Sequence, residues 1–109
     1  MNIKRVKRSL FRSRPWMRIK LSLQVAEFIR SLPPEPRREL RLTIRSLEAE
    51  RGDVRALEGD FSAYYRLRVG GYRVILLRSA TVIECVFAER RSIVYEVFAE
   101  ELRRRLGGT

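Results

Sequence analysis

The sequence predicts a small α+β domain, in the order strand, helix, helix, three strands, helix, with a mainly antiparallel sheet. Three observations carry that expectation. Apolar residues recur at helical spacing through the first half, at Val25, Phe28 and Ile29 and again at Leu40, Ile44 and Leu47. From Ala63 the period changes to two, with Tyr65, Leu67 and Val69 alternating with Tyr64, Arg66 and Arg68. Helical spacing then returns at Val94, Val97, Phe98 and Leu102. With 109 residues, 45% of them hydrophobic and 34% charged, the chain suits one globular domain rather than a disordered segment.

Residues 1–15 read as a basic arm with little to bury, a disordered tail ahead of a single domain over residues 16–109. The arm is not a secretory signal, because no apolar stretch follows its charges. After Pro15, Met17, Ile19 and Leu21 alternate with Arg18 and Lys20, the pattern of a half-buried strand near a sheet edge, with Trp16 as its anchor. Ser22 suits the N-cap of a short helix whose inner face is Val25, Phe28, Ile29 and Leu32. Pro33-Pro34-Glu35-Pro36 ends that helix. A second helix is expected from about Pro36, with Leu40, Ile44 and Leu47 inward, Arg38, Arg41, Arg45 and Glu48 outward, and Gly52 as C-cap.

Gly70-Gly71 is the signature of a two-residue hairpin turn, which needs positive φ at its centre. The returning strand is Tyr72 to Arg78, and a third runs from Thr81 to Ala88 after a turn at Ser79-Ala80. The last helix is expected from about Ser92, with Val94, Val97, Phe98 and Leu102 as its inner stripe and Gly107-Gly108 closing it. Glu96, Glu100 and Glu101 precede Arg103, Arg104 and Arg105, the order that suits the helix dipole.

Charge narrows the function. Lys and Arg number 24 against 13 Asp and Glu, a net +11, and only Lys4, Lys7 and Lys20 are lysines. The excess is steepest in the arm, at Lys4, Arg5, Lys7, Arg8, Arg12 and Arg14, whereas residues 31–59 are balanced. A small domain this basic meets a polyanion, most often nucleic acid, or an acidic protein partner; the alternative is an arginine-rich codon bias. With no histidine, Ser-His and Cys-His nucleophile pairs and His-rich metal sites are excluded. The single cysteine, Cys85, reads as a small core residue and suits a reducing, cytoplasmic setting. No apolar run is long enough to span a membrane.

The hairpin carries the chemistry. A two-residue turn at Gly70-Gly71 sets Val69 against Tyr72, Arg68 against Arg73, Leu67 against Val74 and Arg66 against Ile75. Tyr65, Leu67, Val69, Tyr72, Val74 and Leu76 then share a core face, and Arg66, Arg68 and Arg73 share the other. Opposed arginines cost stability, which makes sense if an anion sits between them; the competing reading is a solvated face that discourages edge pairing. The guanidinium fork suits phosphate oxygens. Further on, Arg91 and Tyr95 stand four apart, and on a helix they would lie along one side, with Tyr95 at the margin of the apolar stripe.

The segment LEGDFSAYYRLRVGGYRVILL, followed by a strand and ERRSIVY before a terminal helix, resembles the RelE/ParE superfamily of type II toxin–antitoxin toxins. The carriers are the Y-x-x-R-x-G-x-Y-R hairpin and a basic-x-x-x-Tyr segment leading into the last helix, and the likeness spans residues 16 to 106. It implies a β-α-α-β-β-β-α fold and one of two activities. RelE-like members are mRNA endoribonucleases (mRNA interferases) that cut in the ribosomal A site and stop translation, without metal or small-molecule cofactor. ParE-like members poison DNA gyrase without nuclease activity. By position, Arg66, Arg68, Arg73, Arg91 and Tyr95 match the RelE-like catalytic set, with Arg90 beside it as a further RNA contact. The resemblance also implies a cognate antitoxin, mRNA and ribosomal RNA as partners; the arm is not part of the usual family core. The sequence departs from that pattern where RelE-like sites often have lysine, at Arg66 and Arg68, and at Glu89, where some members have arginine.

Overall fold

The computed structural model describes residues 17–107, so the arm expected at residues 1–15, Trp16 and Gly108 lie outside the described residues. One five-stranded sheet runs through the domain: β1 (Arg18–Leu21), β2 (Asp53–Ala56), β3 (Tyr65–Val69), β4 (Tyr72–Arg78) and β5 (Val82–Arg90). Its spatial order is β1-β5-β4-β3-β2. Only β1 and β5 pair in parallel, and the other pairs are antiparallel. Helices α1 (Leu23–Ser31) and α2 (Pro34–Ser46) cover one face, and α3 (Val94–Gly107) packs on part of the other.

β1 is an edge strand, as its pattern predicts: Met17 just before it is buried, Ile19 is half-buried, and Leu21 is exposed where the chain turns away. Ser22 is the N-cap of α1, its Oγ accepting from the Val25 N–H at 3.1 Å. The same hydroxyl donates to the Val86 carbonyl at 3.0 Å. β1 ends at Leu21 while β5 continues to Arg90, which leaves β5 backbone groups without a strand partner. The Gln24 amide takes that place, donating to the Ala88 carbonyl and accepting from the Ala88 N–H, both at 2.8 Å.

α2 starts at Pro34, two residues ahead of the expected Pro36. Nothing in the first turn of a helix needs its N–H bonded within the helix, so the prolines are tolerated there. Leu40 and Ile44 are buried beneath α2, and the chain leaves it through a 3-10 turn at Leu47–Ala49 with Leu47 buried. Gly52 is not the C-cap. Glu50 takes the left-handed position, at φ 57°. Gly52 answers to a different constraint: at φ +105°, a Cβ on it would stand 2.9 Å from Leu67 Cδ1.

The hairpin has the expected register, Val69 opposite Tyr72 and Arg68 opposite Arg73, with Gly70 at φ 56°. β2 is not among the predicted strands. Its four residues offer a single apolar side chain to the core, Val54, too little for a period. β5 runs two residues past the expected Ala88. A bulge at Val86 lets Cys85 and Ala88 face the α1–α2 core while Phe87 faces α3. α3 begins at Val94 rather than Ser92, after a turn at residues 91–93. Its inner stripe is Val94, Phe98 and Leu102; Val97, expected in it, is 36% exposed because it points aside from the sheet.

The sheet therefore separates two cores. Val25, Ile29, Leu40, Ile44, Leu47, Leu67, Val74 and Cys85 form the larger, on the α1–α2 side. Ile75, Phe87, Val94 and Phe98 form the smaller under α3, where the Phe98 ring meets Phe61, Tyr64 and Phe87 at centroid distances of 5.5, 5.1 and 5.5 Å. No helix of the described residues is long and apolar enough to cross a membrane.

Candidate nucleic-acid interface

The outer face of β2, β3 and β4, beside the small core, is where the arginines stand. Strand register places Asp53, Arg68, Arg73 and Glu89 in one row across the sheet, and Arg55, Arg66, Ile75 and Phe87 in the next. Arg66, Arg68 and Arg73 thus share one face, as the hairpin arithmetic predicts. Arg55 and Asp53 join them from β2. Sequence reasoning missed both, and the available signal was the short alternation Asp53-Val54-Arg55-Ala56.

These arginines have different surroundings. Arg66 is largely enclosed, with 14% of its side chain exposed, and its Nη1 donates to the Asp53 carbonyl at 3.0 Å and to Asp53 Oδ1 at 3.3 Å. Arg68 is more open, at 55%, with Nη1 3.9 Å from Asp53 Oδ2. Arg73 is half-buried and folds back on its own turn: its Nη1 donates to the carbonyls of Gly70 and Tyr72, both at 2.9 Å. Among the described residues it makes no ion pair, although Glu89 is its register partner. That carboxylate accepts instead from the Arg90 N–H at 2.9 Å and lies 3.8 Å from Arg90 Nη1.

Arg91 and Tyr95 reach the same patch by a route the helical spacing does not describe. Arg91 precedes α3, so the two do not share a helix side. The Arg91 N–H donates to the Gly71 carbonyl at 2.9 Å, which ties the turn ahead of α3 to the hairpin turn. Tyr95, in the first turn of α3, is 36% exposed. Burial, and next the charge of Arg68, push the Arg73 guanidinium below its ordinary pKa; Tyr95 acts in the opposite direction, and Arg66 and Arg91 add to the lowering. Arg66, Arg68, Arg91 and Tyr95 therefore all stand near enough to Arg73 to act on its charge. Arg90 stands apart, its side chain 61% exposed and beside Glu89. A fixed group of cations with a phenol at its margin can bind a phosphodiester and oppose charge that builds on it.

No protein-family model matches the chain, and none of the curated proteins does. Solved structures do. The chain is 32% identical to the archaeal RelE of the RelE–RelB complex from Pyrococcus horikoshii OT3, at a TM-score of 0.57, over 69% of this chain and 94% of that one. It shares its fold with a chain of the RelB–RelE antitoxin–toxin complex from Methanococcus jannaschii, with 20% identity, a TM-score of 0.59 and coverage of 72% and 98%. The YoeB–YefM complex from Staphylococcus aureus is a further fold relative, at 14% identity, a TM-score of 0.56 and coverage of 69% and 97%. The class that this fold defines is the small α+β toxin of toxin–antitoxin pairs. Within it, identity over nearly the whole length of the archaeal RelE shows that the chain belongs to the RelE toxin family.

Proposed function

We propose that this toxin is a ribosome-dependent mRNA endoribonuclease whose site is the Arg73-centred patch. The observation that carries the reading is the shared sheet face of Arg66, Arg68 and Arg73, with the Arg91 N–H bonded to the hairpin turn beside them and Tyr95 in the first turn of the helix that follows. In this reading the RNA 2′-hydroxyl attacks its own 3′-phosphate. The bond to the 5′-oxygen breaks, leaving a 2′,3′-cyclic phosphate and a 5′-hydroxyl. The 2′-hydroxyl gives up a proton and the leaving oxygen gains one. Arg73, with Arg66 and Arg68, neutralises charge growing on the non-bridging oxygens, where preorganised cations are most effective. Tyr95 orients the 2′-hydroxyl, or accepts its proton, and presents a ring on which a base can stack. Arg91, held at the hairpin turn by its own N–H, faces the leaving 5′-oxygen.

The partner proposed with this activity is an antitoxin, as in the RelE–RelB and YoeB–YefM complexes, with an acidic or amphipathic segment that covers the arginine face. The test is translation in a purified system with the toxin added, mRNA ends being mapped by primer extension and gyrase supercoiling followed in parallel. Cuts within A-site codons that vanish in Tyr95→Phe are expected. Intact mRNA with blocked supercoiling would instead make the chain a gyrase poison and the arginine face a protein-docking surface.

A further inference from the structure

The arginine face contains its own anion. Asp53, the first residue of β2, offers Oδ1 to Arg66 at 3.3 Å and Oδ2 to the neighbourhood of Arg68 at 3.9 Å. Two oxygens of one carboxylate set against two guanidinium groups is the way two oxygens of a phosphate would be received. The contacts are unequal. Arg66 is also held by the Asp53 main-chain carbonyl at 3.0 Å, so it stays in place whatever the carboxylate does. The Arg68–Asp53 contact is long, and the two side chains are 55% and 48% exposed, so it is weak and open to exchange with a solvent anion. On the far side of Arg68, Arg73 has only main-chain carbonyls as hydrogen-bond partners among the described residues.

We infer that Asp53 is a resident counter-anion that divides the face in two: it fills the Arg66–Arg68 half and leaves the Arg73 half open to the substrate phosphate. The inference rests on the reading of this face as a phosphate site and adds what regulates its affinity. Without the carboxylate, Arg66, Arg68 and Arg73 would crowd like charges on adjacent strands, a cost that Asp53 offsets in the free protein. When RNA arrives, its phosphates compete with Asp53 for Arg68 and find Arg73 uncontested. Asp53 therefore lowers the affinity of the face for any polyanion, which lets the toxin leave one RNA for the next.

The experiment is a titration of the full chain with a short single-stranded RNA carrying 2′-O-methyl groups, which cannot be cut, over a series of salt concentrations. Asp53→Asn keeps the main-chain carbonyl and the side-chain shape while removing the charge. It is expected to bind about ten-fold tighter, with a log–log salt slope steeper by about 0.7, one added phosphate contact on a single strand. Equal or weaker binding with an unchanged slope overturns the inference. Should Asp53→Asn not fold, the arginines decide the matter in the wild-type background. Arg68→Ala, already neutralised, is expected to lose much less affinity than Arg73→Ala, and equal losses overturn the inference. If neither arginine affects binding, the phosphate-site reading itself fails; if Arg73 matters and Asp53 does not, only the present inference does.

Discussion

Arg73 owes its place to the turn beneath it. With Nη1 bonded to the Gly70 and Tyr72 carbonyls, the guanidinium is oriented before any ligand arrives, and its fork cannot be copied by an ammonium. Arg73→Ala is therefore expected to lower A-site cleavage by about 100-fold or more, with Arg73→Lys restoring only part of it. Tyr95→Phe, which keeps the ring and removes the hydroxyl, is expected to cost about 100-fold in the rate of cutting with little change in RNA affinity. Single-turnover cleavage alongside binding separates the two. Cys85 faces the α1–α2 core, on the other side of the sheet from the arginines; burial, and after it the charge of Glu84, push its thiol up to about 12. It should resist alkylation in the native protein at pH 8 and react once urea unfolds the chain. As pH rises from about 9 toward 12, the unfolded chain ionises this thiol and the folded one does not, so stability should fall across that window. At this scale the grouping of Arg66, Arg68 and Arg73 was legible because a two-residue turn fixes which side chains share a face; the place of Tyr95 beside them was not. Nor was Asp53, because β2 is too short to show a period of its own and is placed by its pairing with β3.

At the scale of elements, the C-terminal end of β5 decides whether the site assembles. It is held by the Gln24 amide on one side and by β4 on the other, and it leads directly into Arg91 and α3. Gln24→Ala strands the Ala88 N–H and carbonyl, and should cost about 1–3 kcal/mol in urea unfolding together with some loss of activity. α3 is fixed mainly through Phe98, buried among Phe61, Tyr64 and Phe87. Phe98→Ala is expected to cost about 3–5 kcal/mol and to release Tyr95 from the patch. Gly52→Ala tests the crossing of the α2 exit over β3. The strained φ and the approach to Leu67 predict a loss of about 1–3 kcal/mol, again read from urea unfolding. The helices and the hairpin followed from apolar spacing and turn chemistry. β2 did not, being an edge strand whose stability comes from β3 rather than from its own residues.

Across the whole molecule the sheet divides the work. The α1–α2 core supplies stability, and the opposite face, only partly covered by α3, is left to the arginines. Net charge acts over a longer range: at +11 the chain attracts any polyanion, so affinity and chemistry can be separated. A chain lacking residues 1–14, and with them Lys4, Arg5, Lys7, Arg8, Arg12 and Arg14, is expected to bind RNA less tightly with a shallower salt dependence. It should still cut at the same mRNA positions. Changed cut positions in primer extension would assign the arm a part in choosing them.

What the amino-acid sequence determined alone is what short-range physics controls. The Ser22 cap, the two faces of the hairpin and the grouping of Arg66, Arg68 and Arg73 each depend on residues a few positions apart. Only the tertiary structure decided the parallel pairing of β1 with β5, the arrival of Asp53 and Arg55 beside the hairpin, and the meeting of Arg91 and Tyr95 with Arg73. Those arrangements depend on contacts between distant segments, whose free energy comes from shared burial and pairing and leaves no period in the chain.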